Sequence, residues 1–382
     1  MPNIVADTEN ISDINNSTFP ERITKRLSVE RTWLYQPETD WFYSHHPYLA
    51  YYAGEYHAIW SSGRIDEDSP GQRIAHCVST DFSAWSEPSS LVDSTMGVNL
   101  ELILTPGGFH VHEGGMNVYI GEYEVPASAL DDEGRMRPDV FPRLRVRLRA
   151  VSTKDRRSWS APIDQGVCLL ANHGPFALKS GRLILPGHTM FPYTDDSAGL
   201  SGWTPAGIYP DEPGQEPLDH NPEGLEGRVA WPIKPCEASG YQTDDGVIHM
   251  LLRSGTPWLW VTESSNEGRT YSSIRPTRFS DNVSRFQFGR LPDGRFFYLG
   301  TPDRTGGSRW RLVVSLSDDG INFDRHYVLV DDADYVKKKQ GLYKGGNFGY
   351  PHMIVHDGML LAIASRQKEA VEVYRASLLE LE

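Results

Sequence analysis

Four residues of this 382-residue chain have types and spacings that suit proton transfer beside an anion: His173, His188, Tyr241 and Arg253. The two histidines flank PFALKSGRLILPG, while Tyr241 and Arg253 bracket YQTDDGVIHMLLR. Imidazole changes charge near neutral pH, a phenol becomes an acid or base when its pKa is tuned, and guanidinium meets a planar carboxylate through two parallel hydrogen bonds. A second group could contact a ligand: His45 and His46 in SHHPYL, Asn172 beside His173, and Tyr350 with His352 in GYPHM. Adjacent strand residues face opposite sides, so one at most of His45 and His46 is expected in a given site, and Tyr350 and His352 are expected on one face. Each candidate has a structural alternative. A strand-end histidine is commonly solvated or satisfied in a core, Tyr241 suits a half-buried strand, and Arg253 suits a surface ion pair.

The remaining charged features are read as structural. Arg64, Asp66, Glu67, Asp68, Gln72 and Arg73 lack calcium-loop spacing and read as a solvated loop. Arg143, Arg145, Arg147 and Arg149 share one strand face and read as a soluble edge. Cys77, Cys168 and Cys236 lie far apart, and no cluster has metal-ligand spacing, so no cofactor is expected to be required. A structural metal ion is compatible with that expectation.

The elements that must position these residues are short. Gly (35), Pro (26), Trp (10) and Tyr (18) favour many strands and turns over long helices. The balance of 37 basic and 51 acidic residues leaves a charge of −14, and the densest basic run, Lys337 to Lys339, is three residues long. Nucleic acid is therefore not an expected partner. Nor is a membrane, since no run of 18 apolar residues occurs. The N-terminal MPNIVADTENISD lacks the charged and apolar regions of a leader, so a cytoplasmic location is expected, or a periplasmic or secreted one if a signal peptide has been removed.

Two repeats organise the chain. A hydroxyl residue, an acid two residues on and an aromatic four after the acid recur as Ser79-Asp81-Trp85, Thr153-Asp155-Trp159, Ser265-Glu267-Tyr271 and Ser317-Asp319-Phe323. Such a group closes a tight turn, because the acid and hydroxyl accept backbone N–H bonds. Six hairpins with a central glycine also recur, at Gly54, Gly115, Gly181, Gly246, Gly294 and Gly358. Blades of antiparallel strands around an axis explain both patterns, and no helix-length 3.6 periodicity competes. The expected fold class is all-β, a single β-propeller over residues 31–382 preceded by an arm over 1–30. The Pro/Gly/Asp-rich stretch 192–230 reads as a long excursion over one face.

The hydroxyl–acid–glycine–aromatic turn resembles the Asp-box of sialidase-type propellers, a structural motif in that family. The segment Trp41 to Pro88, the central CEASGYQTDDGVIHMLLRS and the C-terminal GGNFGYPHMIVHDGMLLAIAS resemble propeller enzymes that attack rhamnosyl-α-1,4-glucuronate linkages, the lyases and related α-L-rhamnosidases. Propeller ulvan lyases are more distant relatives. These families imply seven blades, with the seventh in 191–232 or assembled from both termini. They imply a partner that is a uronate-containing oligo- or polysaccharide. The expected reaction is β-elimination, with Arg253 and one histidine on the carboxylate and Tyr241 or the other histidine taking the C5 proton. Three alternatives stand beside it: hydrolysis of the same bond, with His45 or His46 implicated; a sialidase; and a non-catalytic carbohydrate-binding propeller. A sialidase would need three arginines converging on a carboxylate, a tyrosine nucleophile and an aspartate near the first blade. Its Phe/Tyr-Arg-Ile-Pro signature is missing here.

Overall fold

The computed structural model describes residues 25–137, 145–208, 235–302 and 307–381. They form six antiparallel sheets, five with four strands and one with three. Blade 1 runs through Tyr43–Tyr52, Glu55–Gly63, Arg73–Ser79 and Ser89–Val92. Blade 2 uses Ile103–His112, Gly115–Tyr123, Arg147–Thr153 and Ile163–Asp164. Blade 3 is short: Phe176–Ala177, Leu183–Ile184 and Tyr193–Thr194. Blade 4 holds Cys236–Gln242, Ile248–Arg253, Trp258–Ser264 and Arg275–Ser280. Blade 5 holds Gln287–Arg290, Phe296–Gly300, Leu312–Ser317 and Arg325–Val330. Blade 6 combines Phe348–His356, Met359–Arg366 and Ala370–Ser377 with the early strand Glu30–Tyr35.

This is a β-propeller, and the strands are apolar on both faces because each blade is stacked between two others. Separate core clusters seal successive interfaces: Tyr48 and Ile59 on Val118 and Ile120, Tyr119 and Ala150 on Leu183, Ile184 on Ile248 and Met250. The sequence continues with Leu251 and Phe279 on Phe286 and Tyr298, then Leu299 and Val314 on Leu360 and Ala362. Leu49 and Trp60 pack on Leu361 and Val373, so blade 6 seats directly on blade 1. Six blades thus close the circle among the described residues, and the expected seventh has no gap to occupy. Residues 209–232 of the stretch considered for it lie outside the described residues, as do 1–24 of the N-terminal arm. Both ends of the chain share blade 6, where Glu30–Tyr35 pairs antiparallel with Ala370–Ser377.

All six hairpin glycines join the first two strands of a blade and have positive φ. The outer turns refine the other repeat. In Ser79-Asp81 the carboxylate accepts from Ser83 and Ala84 N–H at 2.8 and 2.9 Å, and Trp85 donates to Phe82 O. Thr153-Asp155 and Ser317-Asp319 repeat it. The third copy is displaced by one residue from the expected Ser265-Glu267: Ser264 and Asn266 make the bonds, with Asn266 Oδ1 accepting from Thr270 N–H at 3.0 Å. An amide oxygen accepts as a carboxylate oxygen does, and the search for an acid misses it. Blade 3 carries a fifth copy, Thr194-Asp196 with Trp203 beneath, inside the stretch read as an excursion.

The charged loop of blade 1 is not simply solvated. Asp66 is fully buried and accepts from Leu342 and Tyr343 N–H at 2.5 and 3.3 Å, tying the loop to the segment before blade 6. Arg147 and Arg149 pair with Glu122 at 3.9 and 3.2 Å, while Arg143 lies outside the described residues.

Candidate functional site

The first strand of each blade lines the axis, and four of these strands begin with a β-bulge. The bulges fall between His45 and Tyr48, Pro106 and Phe109, Cys236 and Ser239, and Gly349 and His352. In each, one residue is left-handed: His46 (φ 53°), Gly108 (99°), Glu237 (52°) and Tyr350 (50°). A bulge adds a residue to one strand and re-aims its side chain. At Gly108 nothing larger fits, since a Cβ would lie 2.2 Å from Gly174 N of the neighbouring blade. At the other three positions the strain of a left-handed non-glycine, about 1–2 kcal/mol each, buys a side chain directed at the axis.

Those side chains meet. Tyr350 donates its hydroxyl to Glu237 at 2.5 Å. Its ring lies 4.0 Å from the His45 ring and 5.1 Å from that of His46. Three guanidinium groups surround the same ring: Arg285 at 4.5 Å, Arg309 at 5.3 Å and Arg253 at 5.9 Å from its centroid. Arg253 is committed, with its Nε 2.8 Å from Glu237. Arg253 and Arg309 both donate to the carbonyl of Val283, at 3.0 and 3.1 Å. Arg285 is 1% exposed; its Nη1 donates to Tyr48 Oη at 2.6 Å, while its Nε and Nη2, like Arg309 Nη1, are buried without a partner. On the blade 1 side, Glu67 accepts from Tyr43 at 3.1 Å, pairs with Lys368, and lies 3.7 Å from His46 Nε2.

The charge states follow from burial and neighbours. Burial would raise the Glu237 carboxyl, but Arg253, His188 and Arg285 outweigh it and hold it ionised below its usual range. Burial lifts the Tyr350 phenol well above its ordinary value, so it is the neutral donor to Glu237. Burial, then the cations nearby, pushes His45 and His46 well below theirs. Asp68, beside Glu67, is raised by burial to about 7 and accepts from Tyr123. A neutral phenol on an ionised carboxylate, beside guanidinium groups that keep unpartnered nitrogens, is equipped to deliver a phenolate oxygen to a carbon near a bound anion.

The expected residues are only partly brought together. Arg253, Tyr350, His45 and His46 are at the site. Both imidazoles touch Tyr350 because the bulge at His46 overrides the alternation that would have excluded one of them. The bulge at Tyr350 likewise breaks the shared face expected with His352. His188 stands near Glu237 and Arg253, its pKa lowered by burial to about 4. His173 and His352 lie deeper, stacked 6.3 Å apart, with His173 Nε2 2.8 Å from Phe286 O. Asn172 contributes its carbonyl, which accepts from Tyr48 Oη at 2.6 Å. Tyr241 is not at the site: register pairs Cys236, not Tyr241, with Arg253, and the Tyr241 hydroxyl donates to Gly320 O inside the blade 4–5 core. Glu237, Arg285, Arg309 and Glu67 were missed as site residues. One signal could have found the first two: His46, Gly108, His173, Glu237, Arg285 and Tyr350 each stand seven to nine residues before their blade's hairpin glycine.

Among the described residues, two triplets bring possible metal ligands within 4.8 Å of one another, His45/His46/Glu67 and His188/Cys236/Glu237. Each carboxylate already carries a buried cation, Lys368 or Arg253, which disfavours a divalent ion. A separate cavity of 830 Å³ opens at the other end of the axis, lined by Leu49, Phe109, Phe176, Phe288, Met353 and, at its inner end, His173 and His352. It holds neither Tyr350 nor Glu237.

Fold, repeats and turns define a BNR/Asp-box β-propeller of the sialidase type. Residues 140–363 match the BNR repeat-like domain, and the chain belongs to that family. Its sequence matches no curated protein. Among solved structures it is similar to a Dyadobacter fermentans protein of unknown function (13% identity, TM-score 0.63), over 91% of this chain and 99% of that one. It is also similar to Trypanosoma rangeli sialidase bound to sialic acid (13%, TM-score 0.64, 94% of this chain and 60% of that one). A Streptococcus pneumoniae sialidase is a third (14%, TM-score 0.61, 91% and 71%). The chain therefore spans about three-fifths of the length of the trypanosomal enzyme.

Proposed function

We propose that the protein is a glycosidase that removes a carboxylate-bearing sugar of the sialic-acid class, with Tyr350 as nucleophile. The observation that carries this reading is the Tyr350–Glu237 hydrogen bond encircled by Arg253, Arg285 and Arg309. It supplies the three arginines and the tyrosine that a sialidase needs, despite the absent N-terminal signature, because Arg285 of blade 5 provides a guanidinium. A phenol suits an anionic sugar better than a carboxylate nucleophile, which the substrate's own carboxylate would repel. Tyr350 Oη attacks the anomeric carbon as its proton passes to Glu237; the glycosidic C–O bond breaks, and the leaving oxygen takes a proton from solvent water, leaving hydroxide. A second water then attacks the same carbon as the Tyr350–carbon bond breaks; its proton neutralises the hydroxide left by the first step, and Glu237 returns the other proton to the phenolate.

The elimination reading on rhamnosyl-glucuronate retains Arg253 but loses Tyr241 as its base. One experiment separates the two. The protein is incubated with sialyl-lactose and, separately, with rhamnose-capped glucuronate oligosaccharides, reading free sugar and absorbance at about 235 nm for an unsaturated uronate. Free sialic acid without absorbance, abolished at least about 10³-fold by Tyr350→Phe, supports the proposal. A covalent adduct of 2,3-difluorosialic acid on the Tyr350 peptide would fix the nucleophile. Absorbance from the glucuronate substrate, retained in Tyr350→Phe, would overturn it.

A further inference from the structure

Arg285 presents a problem that its surroundings solve unusually. A buried guanidinium is ordinarily kept in place by carboxylates, because leaving the charge uncompensated costs several kcal/mol. Among the described residues Arg285 has one hydrogen-bond partner, the hydroxyl of Tyr48, and two nitrogens without any. Tyr48 is itself fully buried, and its single proton is spoken for. The Asn172 carbonyl 2.6 Å away can only accept, so Tyr48 donates to it and turns a lone pair to Arg285. The Tyr48 ring packs edge-on against the His352 and His173 rings at 5.3 and 6.3 Å, and its own face lies 4.7 Å from the guanidinium carbon. On its other side, that guanidinium lies 4.5 Å from the centre of the Tyr350 ring.

We propose that Tyr48 is a positioning residue for the reaction: it fixes Arg285 against Tyr350 without neutralising it, so that the unpaired nitrogens receive the substrate's carboxylate. The inference rests on the glycosidase reading. A carboxylate in place of Tyr48 would hold the arginine equally well but would compete with the substrate for it, as Glu237 already does for Arg253. A neutral acceptor keeps the field. Its placement draws on four blades at once: Tyr48 from blade 1, Asn172 and His173 at the start of blade 3, Arg285 at the start of blade 5 and His352 from blade 6. Burial also keeps the phenol un-ionised, its pKa pushed up to about 12, so the holder stays neutral across the physiological range.

The test uses Tyr48→Phe, which preserves the ring, Arg285→Lys and the double variant. The readouts are affinity for 2,3-dehydro-2-deoxy-N-acetylneuraminic acid by calorimetry and kinetics on sialyl-lactose. Tyr48→Phe should weaken binding and raise KM by about tenfold, the effect of losing a hydrogen bond to a charged group, with kcat within about twofold. In the Arg285→Lys background it should add less than about twofold. Tyr119→Phe is the control for a buried tyrosine hydroxyl with a purely structural bond, 2.7 Å to Gly199 O, and should alter neither constant. A loss of the same size in both backgrounds, or a fall in kcat with KM unchanged, would overturn the proposal. A second measurement needs no substrate: the Arg285 Nε–H resonance, assigned with Arg285→Lys, should shift or broaden in Tyr48→Phe and stay put in Tyr119→Phe. If the wild type neither binds nor cleaves the sialic-acid compounds, the glycosidase reading fails, while this resonance still decides whether Tyr48 holds Arg285.

Discussion

Arg285 and Arg366 are each 1% exposed, yet they are held in opposite ways. Arg366, on the second strand of blade 6, gives its terminal nitrogens to Glu372 at 2.5 Å and Asp334 at 2.7 Å, with Asp332 at 3.3 Å. The same carboxylates hold Arg31 on the early strand, so this network locks the first described strand onto the last. Arg285, at the axis, has a phenol and two tyrosine faces. Charge paired with carboxylates on blade 6 fastens the ring; charge at the axis without such a pair is directed at something the protein does not itself provide. A buried cation is thus informative through the charge of its partners, since burial alone is common to both.

The comparison is broken or upheld most sharply by making the same substitution in both places. Arg366→Met should cost about 3 kcal/mol or more in a denaturant titration, because it leaves the buried Glu372 short of its closest cation. Activity per folded molecule should be unchanged. Arg285→Met should leave the thermal midpoint unchanged or raise it, since it removes a buried charge that no carboxylate among the described residues pairs directly, while kcat/KM falls on the order of 10²-fold or more. Equal losses of stability in the two variants would mean that Arg285 is structural after all.

What was legible in the sequence divides along the same line. The six hairpin glycines and the turn motif report local geometry, and local geometry is what a period of two and a turn signature encode. The propeller was accordingly readable. Tyr350, His46 and Arg253 were named because their residue types are informative by themselves. Glu237, Arg285 and Arg309 were not, because blades 4 and 5 bring them to Tyr350 of blade 6 only in the folded ring, and the one local mark, the offset of Glu237 and Arg285 from their hairpin glycines, carries no chemistry by itself. Alternation misled at the bulges, where a left-handed His46 and Tyr350 step out of the strand's register, and at Tyr241, whose face points into the blade 4–5 core. The seventh blade rested on family expectation alone, while the six readable hairpins match the six sheets among the described residues.

Acid sharpens the comparison more gently. At the axis His45, His46, His173, His188 and His352 are all held neutral by burial, His188 down to about 4 and His352 to about 3. Their folded pKa values lie below the ordinary histidine value of about 6.5, so the unfolded chain binds more protons between the two. The stability they confer is complete above about pH 6.5 and is lost as the pH falls towards 4. By pH 5.5 each should cost about 1 kcal/mol. Urea midpoints measured from pH 7.5 to 4.5 should fall throughout, and His352→Gln should flatten the slope. On blade 6 Asp334 is held at about 2, against partial desolvation, by Asp332 and then Arg366, and the stability this confers should be lost only below about pH 4. A midpoint constant down to pH 4.5 would show that the axial histidines are not neutral in the folded state.

The smallest effect concerns turns in which charge is incidental. Asp81, Asp155 and Asp319 sit in their outer turns with carboxyl groups held low by backbone N–H donors, Asp319 against the opposing effect of burial. Asn266 fills the equivalent place in blade 4 without a charge, accepting from Thr270 N–H and Ser264 Oγ and donating to Thr270 Oγ1. If the turn needs an oxygen at that point rather than a negative charge, Asn266→Asp should leave the thermal midpoint within a degree or two. Asn266→Ala, which strands the Thr270 N–H, should cost about 1 kcal/mol, comparable to loss of a helix cap. Glu267→Ala, one residue on, removes an exposed side chain whose contacts are ion pairs with Arg182 and Arg269 at 3.9 and 3.7 Å, and should cost less than about 0.5 kcal/mol. The reverse order, with Glu267→Ala the more damaging, would restore the acid-based register of that turn. Charge would then matter at the rim of blade 4 as it does between Arg366 and Glu372.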